Sequence, residues 1–219
     1  MKFLKFAGIV SIVIVIILAS FFSLLFSRHF YSYEFEKQNI ALFSGFSNSQ
    51  YSSYAGQIVH NFFSEKPLYI TDMEGNAIEG FFSQREITHM HDVKNVMQMA
   101  LFILFASFIV SFILILLLRD RRVLFKRAAV GTLIFVLFIS TAIVMNFDFT
   151  FTLLHKILFR NDFWLLPEDA VLIRMFPVSF FADFALFWGA IVTIVSVSII
   201  FLDIWLRKIF RNKTHLLFL

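Results

Sequence analysis

The chain of 219 residues contains no cysteine. Loops outside the cytoplasm therefore cannot be stapled by disulfides, and neither a thiolate nucleophile nor a Cys-ligated metal is available. Charge is scarce as well. Only 16% of residues are Asp, Glu, Lys or Arg against 59% hydrophobic, with a mean hydropathy of +0.82, which excludes a soluble globular domain. No G-x-S-x-G elbow occurs, and Ser179 is the sole serine between residues 146 and 183, so an acyl-enzyme route through serine is disfavoured. Internal repeats, low-complexity linkers and signs of a second domain are missing, and residues 1–219 read as a single membrane domain.

What is present is four charge-free apolar runs, residues 7–26, 97–118, 128–145 and 184–202. Each approaches the roughly 20 residues that a ~30 Å hydrocarbon core requires. The expected fold is an all-α integral membrane protein, a four-transmembrane-helix bundle with two structured extracytoplasmic segments, residues 27–96 and 146–183. Lys and Arg set the orientation. Eleven basic residues and two acids (Asp120 and Asp203) fall in the N-terminus, the 119–127 loop and the C-terminal tail, or +9, whereas the other side carries −5. Both termini are expected in the cytoplasm. The first run follows Lys2 and Lys5 as a signal peptide would, yet it is too long and lacks an A-x-A site, so it is expected to remain as an anchor. The basic pI of about 9.4 is a topology signal and an attraction to anionic headgroups rather than a mark of nucleic-acid binding. The last two runs carry no interior charge, which argues against an ion or proton pathway. Gly189, Thr193 and Ser196 offer small residues for close helix packing.

In the first outward segment, Tyr54, Ile58 and Phe62 recur four apart, predicting a short amphipathic helix over 54–63. The run Thr71 to Ala77 places Asp, Gly and Asn where a turn or small hairpin needs them. Ser83 and Glu86 form a capping box, and no Gly or Pro follows before Leu118. One helix is therefore expected to begin outside the membrane and continue as the second span. On it His89, Asp92, Val93 and Val96 share a face, with His91 about 200° away from His89 at 100° per residue.

The chemistry concentrates in Leu153 to Pro177, too polar to cross hydrocarbon and too apolar for free water, which is expected to lie at the membrane surface. Ile157, Leu158, Phe159, Phe163, Trp164 and Leu165 would seat it there. His29, His60 and His215 have the setting of ordinary polar residues. His89 and His155 differ: both lie outward near span ends, and each precedes a carboxylate, Asp92 or Asp162, able to fix an imidazole tautomer. They could serve as base and acid on a lipid ester, or pack structurally, or bind a metal together with a carboxylate.

Two stretches carry a resemblance. Arg85-Glu86-Ile87-Thr88-His89-Met90-His91-Asp92-Val93-Lys94 resembles an E-x-x-H-M-x-D-V-K element, and Leu154-His155-x3-Phe159-x-Asn161-Asp162-x-Trp164, then Asp169, Leu172-Ile173 and Pro177, resembles a second. Both are elements of the bacterial lipoprotein intramolecular transacylases, small four-span proteins of the bacterial cytoplasmic membrane. The resemblance implies transfer of the sn-2 acyl chain of a diacylglyceryl-modified lipoprotein to the α-amino group of its N-terminal cysteine, at the extracytoplasmic face and with no metal or cofactor. It implies His89 and His155 as the catalytic pair, with Glu86, Asp92, Asn161, Asp162, Trp164, Asp169 and Arg174 in support. Asp92 and Asp162 would orient the rings; Asn161 and Arg174 would meet an oxyanion or headgroup. His91 falls at a variable position. The partners implied are diacylglyceryl lipoproteins and membrane lipids. The rival readings are a non-enzymatic membrane partner and a metal-dependent lipid hydrolase.

Overall fold

The computed structural model describes residues 2–40, 46–118 and 120–216, with side chains to residue 209. Arg119 and the side chains of Arg211, Lys213 and His215 thus lie outside the described residues. The described chain is helical: α1 (Lys2–Leu25), α2 (Arg28–Lys37), α3 (Asn48–Asn61), α4 (Gln84–Leu117), α5 (Arg121–Met145), α6 (Phe147–Leu158), α7 (Val171–Met175) and α8 (Val178–Leu216). Helices α1, α4, α5 and α8 are each long and apolar enough to cross a membrane. They cover the four apolar runs of the sequence to within one residue, α1 ending at Leu25 and α4 at Leu117. The contacts divide into two compact units, residues 1–21, 102–141 and 187–219, and residues 22–101 and 142–186.

The first unit is held by close approach of small residues. Ala128, Thr132, Val192 and Ser196 are fully buried, and Ile12, Ile16, Leu114, Leu124 and Val136 pack with them. Gly8 lies against Leu114, and Gly189 lies against Ser140 and Val136. Because lipid tails are as apolar as leucine, such packing rather than water exclusion is what brings spans together. Several hydroxyl groups bond within their own helices, Ser11 donating to the carbonyl of Ala7 at 2.8 Å and Thr132 to Ala128 at 2.9 Å, whereas the buried Ser196 hydroxyl has no hydrogen-bond partner among the described residues. Trp188 donates its indole N–H to the Ile17 carbonyl at 3.1 Å. Lys5 pairs with Asp120, so the N-terminus and the first basic loop share one end of the unit.

The second unit is held by aromatic rings. Phe35, Tyr51 and Tyr54 are completely enclosed, with Phe35 against Phe180 at 6.1 Å and Tyr54 against Phe81 at 5.2 Å between ring centroids. The predicted 54–63 helix is the later part of α3, which begins earlier because Ser47 and Gln50 form a capping box. The Thr71–Ala77 turn closes through a single antiparallel bridge, with Asp72 accepting from Glu74 and Asn76 and with Gly75 at φ +89°. Gln57 bonds both backbone groups of Thr71, so a side chain takes the place of a neighbouring strand. The capping box at Ser83 starts α4, which runs unbroken to Leu117. Three helices had no clear signal in the sequence: α2, capped by Ser27, α6 and the short α7.

Candidate active site

Helix α6 begins where the Asn146 side chain accepts from the N–H of Phe149 at 2.9 Å, and its last turn holds His155 and Lys156 near the negative end of the helix dipole. Spacing by four puts Phe147, Phe151 and His155 in one stripe, with centroids 5.6 Å and then 4.2 Å apart. The other side shows Phe149, Leu153 and Ile157, all exposed, and Leu154 beside the stripe is exposed as well. A helix so divided suits a membrane surface, apolar side down.

Helix α4 brings His89 to this stripe. The two imidazoles stand 6.2 Å apart, centroid to centroid, inclined by 33°. Phe159 meets the His89 ring at 5.2 Å and 77°, and Trp164 covers His155 at 5.0 Å. Both histidines are half-buried. Burial pushes His89 down to about 4, with the neighbouring His155 adding to the effect and the Asp92 carboxylate opposing it. His155 is also lowered by burial, against the hydrogen bond it makes to the Phe151 backbone. Both rings are therefore neutral at pH 7.

The hydrogen bond that orients His155 comes from its own helix. Its Nδ1 lies 2.8 Å from the carbonyl oxygen of Phe151. A carbonyl only accepts, so the proton sits on Nδ1 and the Nε2 lone pair is left available as a base. Asp162, which the sequence reading assigned to this ring, has an exposed side chain, and it is its backbone carbonyl that accepts from Arg85. A histidine in the last turn of a helix reaches the carbonyl four residues back more readily than a carboxylate seven residues on.

Asp92 stands near His89, and its Oδ2 accepts from Asn161 Nδ2 at 2.8 Å. Asn161 is engaged at its other end too, Oδ1 accepting from Phe163 N at 3.0 Å. Arg174, exposed, donates twice to the carbonyl of Asp169. Glu86, 2% exposed, accepts through Oε2 from the N–H and hydroxyl of Ser83 and through Oε1 from Leu172 N, all at 2.8 Å. One buried carboxylate thus caps α4 and also holds the first turn of α7.

Arg85 is a residue to which the sequence reading gave no role. Its guanidinium donates to the carbonyls of Asp162 and Leu165 and lies 5.7 Å from the Phe163 ring centre, clamping the turn that carries Trp164. The Phe151 carbonyl likewise escaped, because a backbone acceptor leaves no mark in residue types. Other candidates stand apart. His91 is exposed and faces Asn95, and the Ser179 hydroxyl donates to Gln38 at 2.6 Å. Among the described residues, no three His, Cys, Asp or Glu side chains gather as a metal-binding group.

Comparison with known proteins agrees with the architecture. The crystal structure of the membrane integral lipoprotein intramolecular transacylase Lit from Bacillus cereus superposes with a TM-score of 0.83 at 20% identity, over 96% of this chain and 97% of that one. A variant of the same protein with one histidine replaced by arginine gives 0.79 over 97% and 94% of the two chains, also at 20% identity. At that identity the likeness establishes the fold. In sequence, an uncharacterised protein of Aquifex aeolicus (strain VF5) is 26% identical over 132 residues, which span 60% of this chain and 61% of that relative's length. The model of the lipoprotein intramolecular transacylase Lit family matches residues 6–181, from the first span through α6 and α7, and this chain belongs to that family.

Proposed function

We propose that the chain moves the sn-2 acyl group of a diacylglyceryl-modified lipoprotein to the α-amino group of the lipoprotein's N-terminal cysteine, leaving the lyso form, at the extracytoplasmic face of a bacterial cytoplasmic membrane. The observation that carries this reading is the pair of neutral imidazoles, 6.2 Å apart and walled by Phe151, Phe159 and Trp164. Donor and acceptor belong to one substrate molecule, so the protein's task is to orient them and move protons. An α-amine has a reference pKa of about 8 and is largely protonated near neutrality. It must lose a proton before or during attack.

The ammonium proton passes to water before attack, and His155 Nε2 takes a second N–H proton as the neutral nitrogen attacks the ester carbonyl. His89, neutral because its conjugate acid is disfavoured, donates a hydrogen bond to the developing oxyanion. The C–N bond forms, the bond from the carbonyl carbon to the glycerol oxygen breaks, and that oxygen leaves with the proton His155 received. Asp92, held by Asn161, orients His89 and stabilises its protonated form, so this ring could exchange roles with His155 where the substrate pose demands it. The exposed apolar side chains of α6, with Phe163 and Leu165, seat the pair at glycerol depth. Arg174 and Asp169, on the exposed side, are placed for headgroup contact.

Mass spectrometry of N-terminal lipopeptides, from cells with and without the protein, tests the reading. An acyl group shifted from glycerol to nitrogen is expected only with the protein present. Conversion that persists in stably inserted His155→Ala would sink the mechanism. Loss of activity on adding a chelator would favour a metal-dependent hydrolase instead. Lipopeptides of identical mass and fragmentation in both strains would favour a non-enzymatic partner.

A further inference from the structure

In the first unit, the start of α5 and the end of α8 border two adjoining half-open cavities. The first, of about 340 Å³, is lined by Lys126, Arg127 and Arg207 with Val123 and Val130. The second, of about 460 Å³, shares Lys126 and Arg207 and adds Lys208, Ile204 and Asp203. Both volumes fall within the roughly 300–1,000 Å³ of small-molecule sites. Lys126, Arg207 and Lys208 thus line one pocket with Asp203, and Arg127 lines its neighbour.

That carboxylate is unusual. The Asp203 side chain is 6% exposed, and among the described residues neither of its oxygens accepts a hydrogen bond, although Arg207 Nε stands 3.0 Å from Oδ2 as an ion pair. A buried carboxylate has about four lone-pair directions to satisfy and is costly when they are empty. A donor brought in by a ligand would relieve that cost. Depth along the helices limits the ligand. Lys126 precedes the apolar run 128–145 and Asp203 follows the run 184–202, so the cavities lie where spans leave hydrocarbon, and Val123, Val130 and Ile204 offer an apolar wall.

We infer that this is a phospholipid headgroup site, in which the phosphodiester is held by Lys126, Arg127 and Arg207 and a headgroup donor, the ammonium of ethanolamine or a hydroxyl of glycerol, binds Asp203. Basic loops in general attract anionic lipid; this site selects on the donor as well as on charge. It acts independently of the acyl-transfer reading and stands on residues that take no part in it.

Native mass spectrometry of the full-length, delipidated protein tests the site, with equimolar phosphatidylethanolamine, phosphatidylglycerol and phosphatidylcholine of identical chains. The first two are expected to be retained several-fold over phosphatidylcholine, which carries the phosphate but no donor. The double variant Lys126→Gln, Arg127→Gln is expected to lose both, and Asp203→Asn to lose about tenfold in ethanolamine lipid while keeping the glycerol lipid. Equal retention of all three lipids by the wild type, or unchanged retention in the double variant, would overturn the site. Displacement of bound lipid by millimolar inorganic phosphate would overturn the lipid as its occupant.

Discussion

The two units of this protein are built on different physics. Residues 1–21, 102–141 and 187–219 are joined by small and branched residues in contact, with several hydroxyls turned back on their own helices. Residues 22–101 and 142–186 instead bury clustered rings and bind distant segments by several side-chain to backbone hydrogen bonds such as Glu86 to Leu172 and Gln98 to Phe62. Where lipid is the solvent, a polar side chain has little to gain from a remote partner and much to lose without one. Where water and headgroups reach the chain, each hydrogen bond can fix a loop, and chemistry can be placed on it. The proposed catalytic pair therefore belongs to the second kind of construction. The first kind carries the spans.

Substitutions can break or sharpen this contrast. The largest effect is expected in the second unit: His155→Gln keeps the ring's approximate bulk but not its basic nitrogen, and the rate of acyl transfer should fall about 10²–10⁴-fold, whereas His91→Gln, on the far side of α4, should leave it unchanged. Lipopeptide conversion by membranes with matched protein levels measures both. Equal losses in the two variants would dissolve the distinction between the histidines.

Next comes Glu86→Ala, which removes the acceptor for the N–H and hydroxyl of Ser83, which is exposed and can turn to water, and for the buried N–H of Leu172. The orphaned buried donor costs about 1–3 kcal/mol, so thermal unfolding in detergent should show a loss of that size. A change within error would mean that the α4 and α7 caps are filled in another way.

The pH dependence is smaller and has a definite sign. Folded His89 binds its proton only near 4, whereas an unfolded histidine does so near 6.5. Between those values the unfolded chain takes up a proton that the folded chain refuses, so stability falls as pH falls through the window, and the lowered His155 acts in the same direction. Thermal stability measured from pH 7 to 4 should decline less in His89→Gln than in the wild type. Parallel curves would show that the histidine is not the group being titrated.

The smallest effect is expected in the first unit at Gly189, where an added Cβ would lie 3.6 Å from Ser140 Oγ and 3.9 Å from Val136 Cγ1, ordinary contact distances. Gly189→Ala should shift stability by no more than about 0.5 kcal/mol, while Gly189→Leu, with no space to enter, should cost about 1–3 kcal/mol. Both should keep the acyl-transfer rate of the protein that remains folded. Denaturation midpoints read beside lipopeptide conversion would separate the two quantities.

Sequence alone determined the four spans and the unbroken helix from the capping box at Ser83 to the end of the second span, because hydropathy and capping are local properties of residue type, and it singled out His89 and His155, whose rings the fold brings within 6.2 Å. The start of α6 was legible in principle from Asn146, but its brevity beside a long span hid it. What only tertiary structure decided is how the pair is held. Asn161 rather than a bare carboxylate steadies Asp92, the Phe151 carbonyl rather than Asp162 orients His155, and Arg85 clamps the turn that brings Trp164 over the ring. These contacts use backbone groups, or residues about 70 to 80 positions apart, and neither leaves a periodic trace. Residue types tell which groups can carry a proton; only the packed chain decides which nitrogen is free to take it.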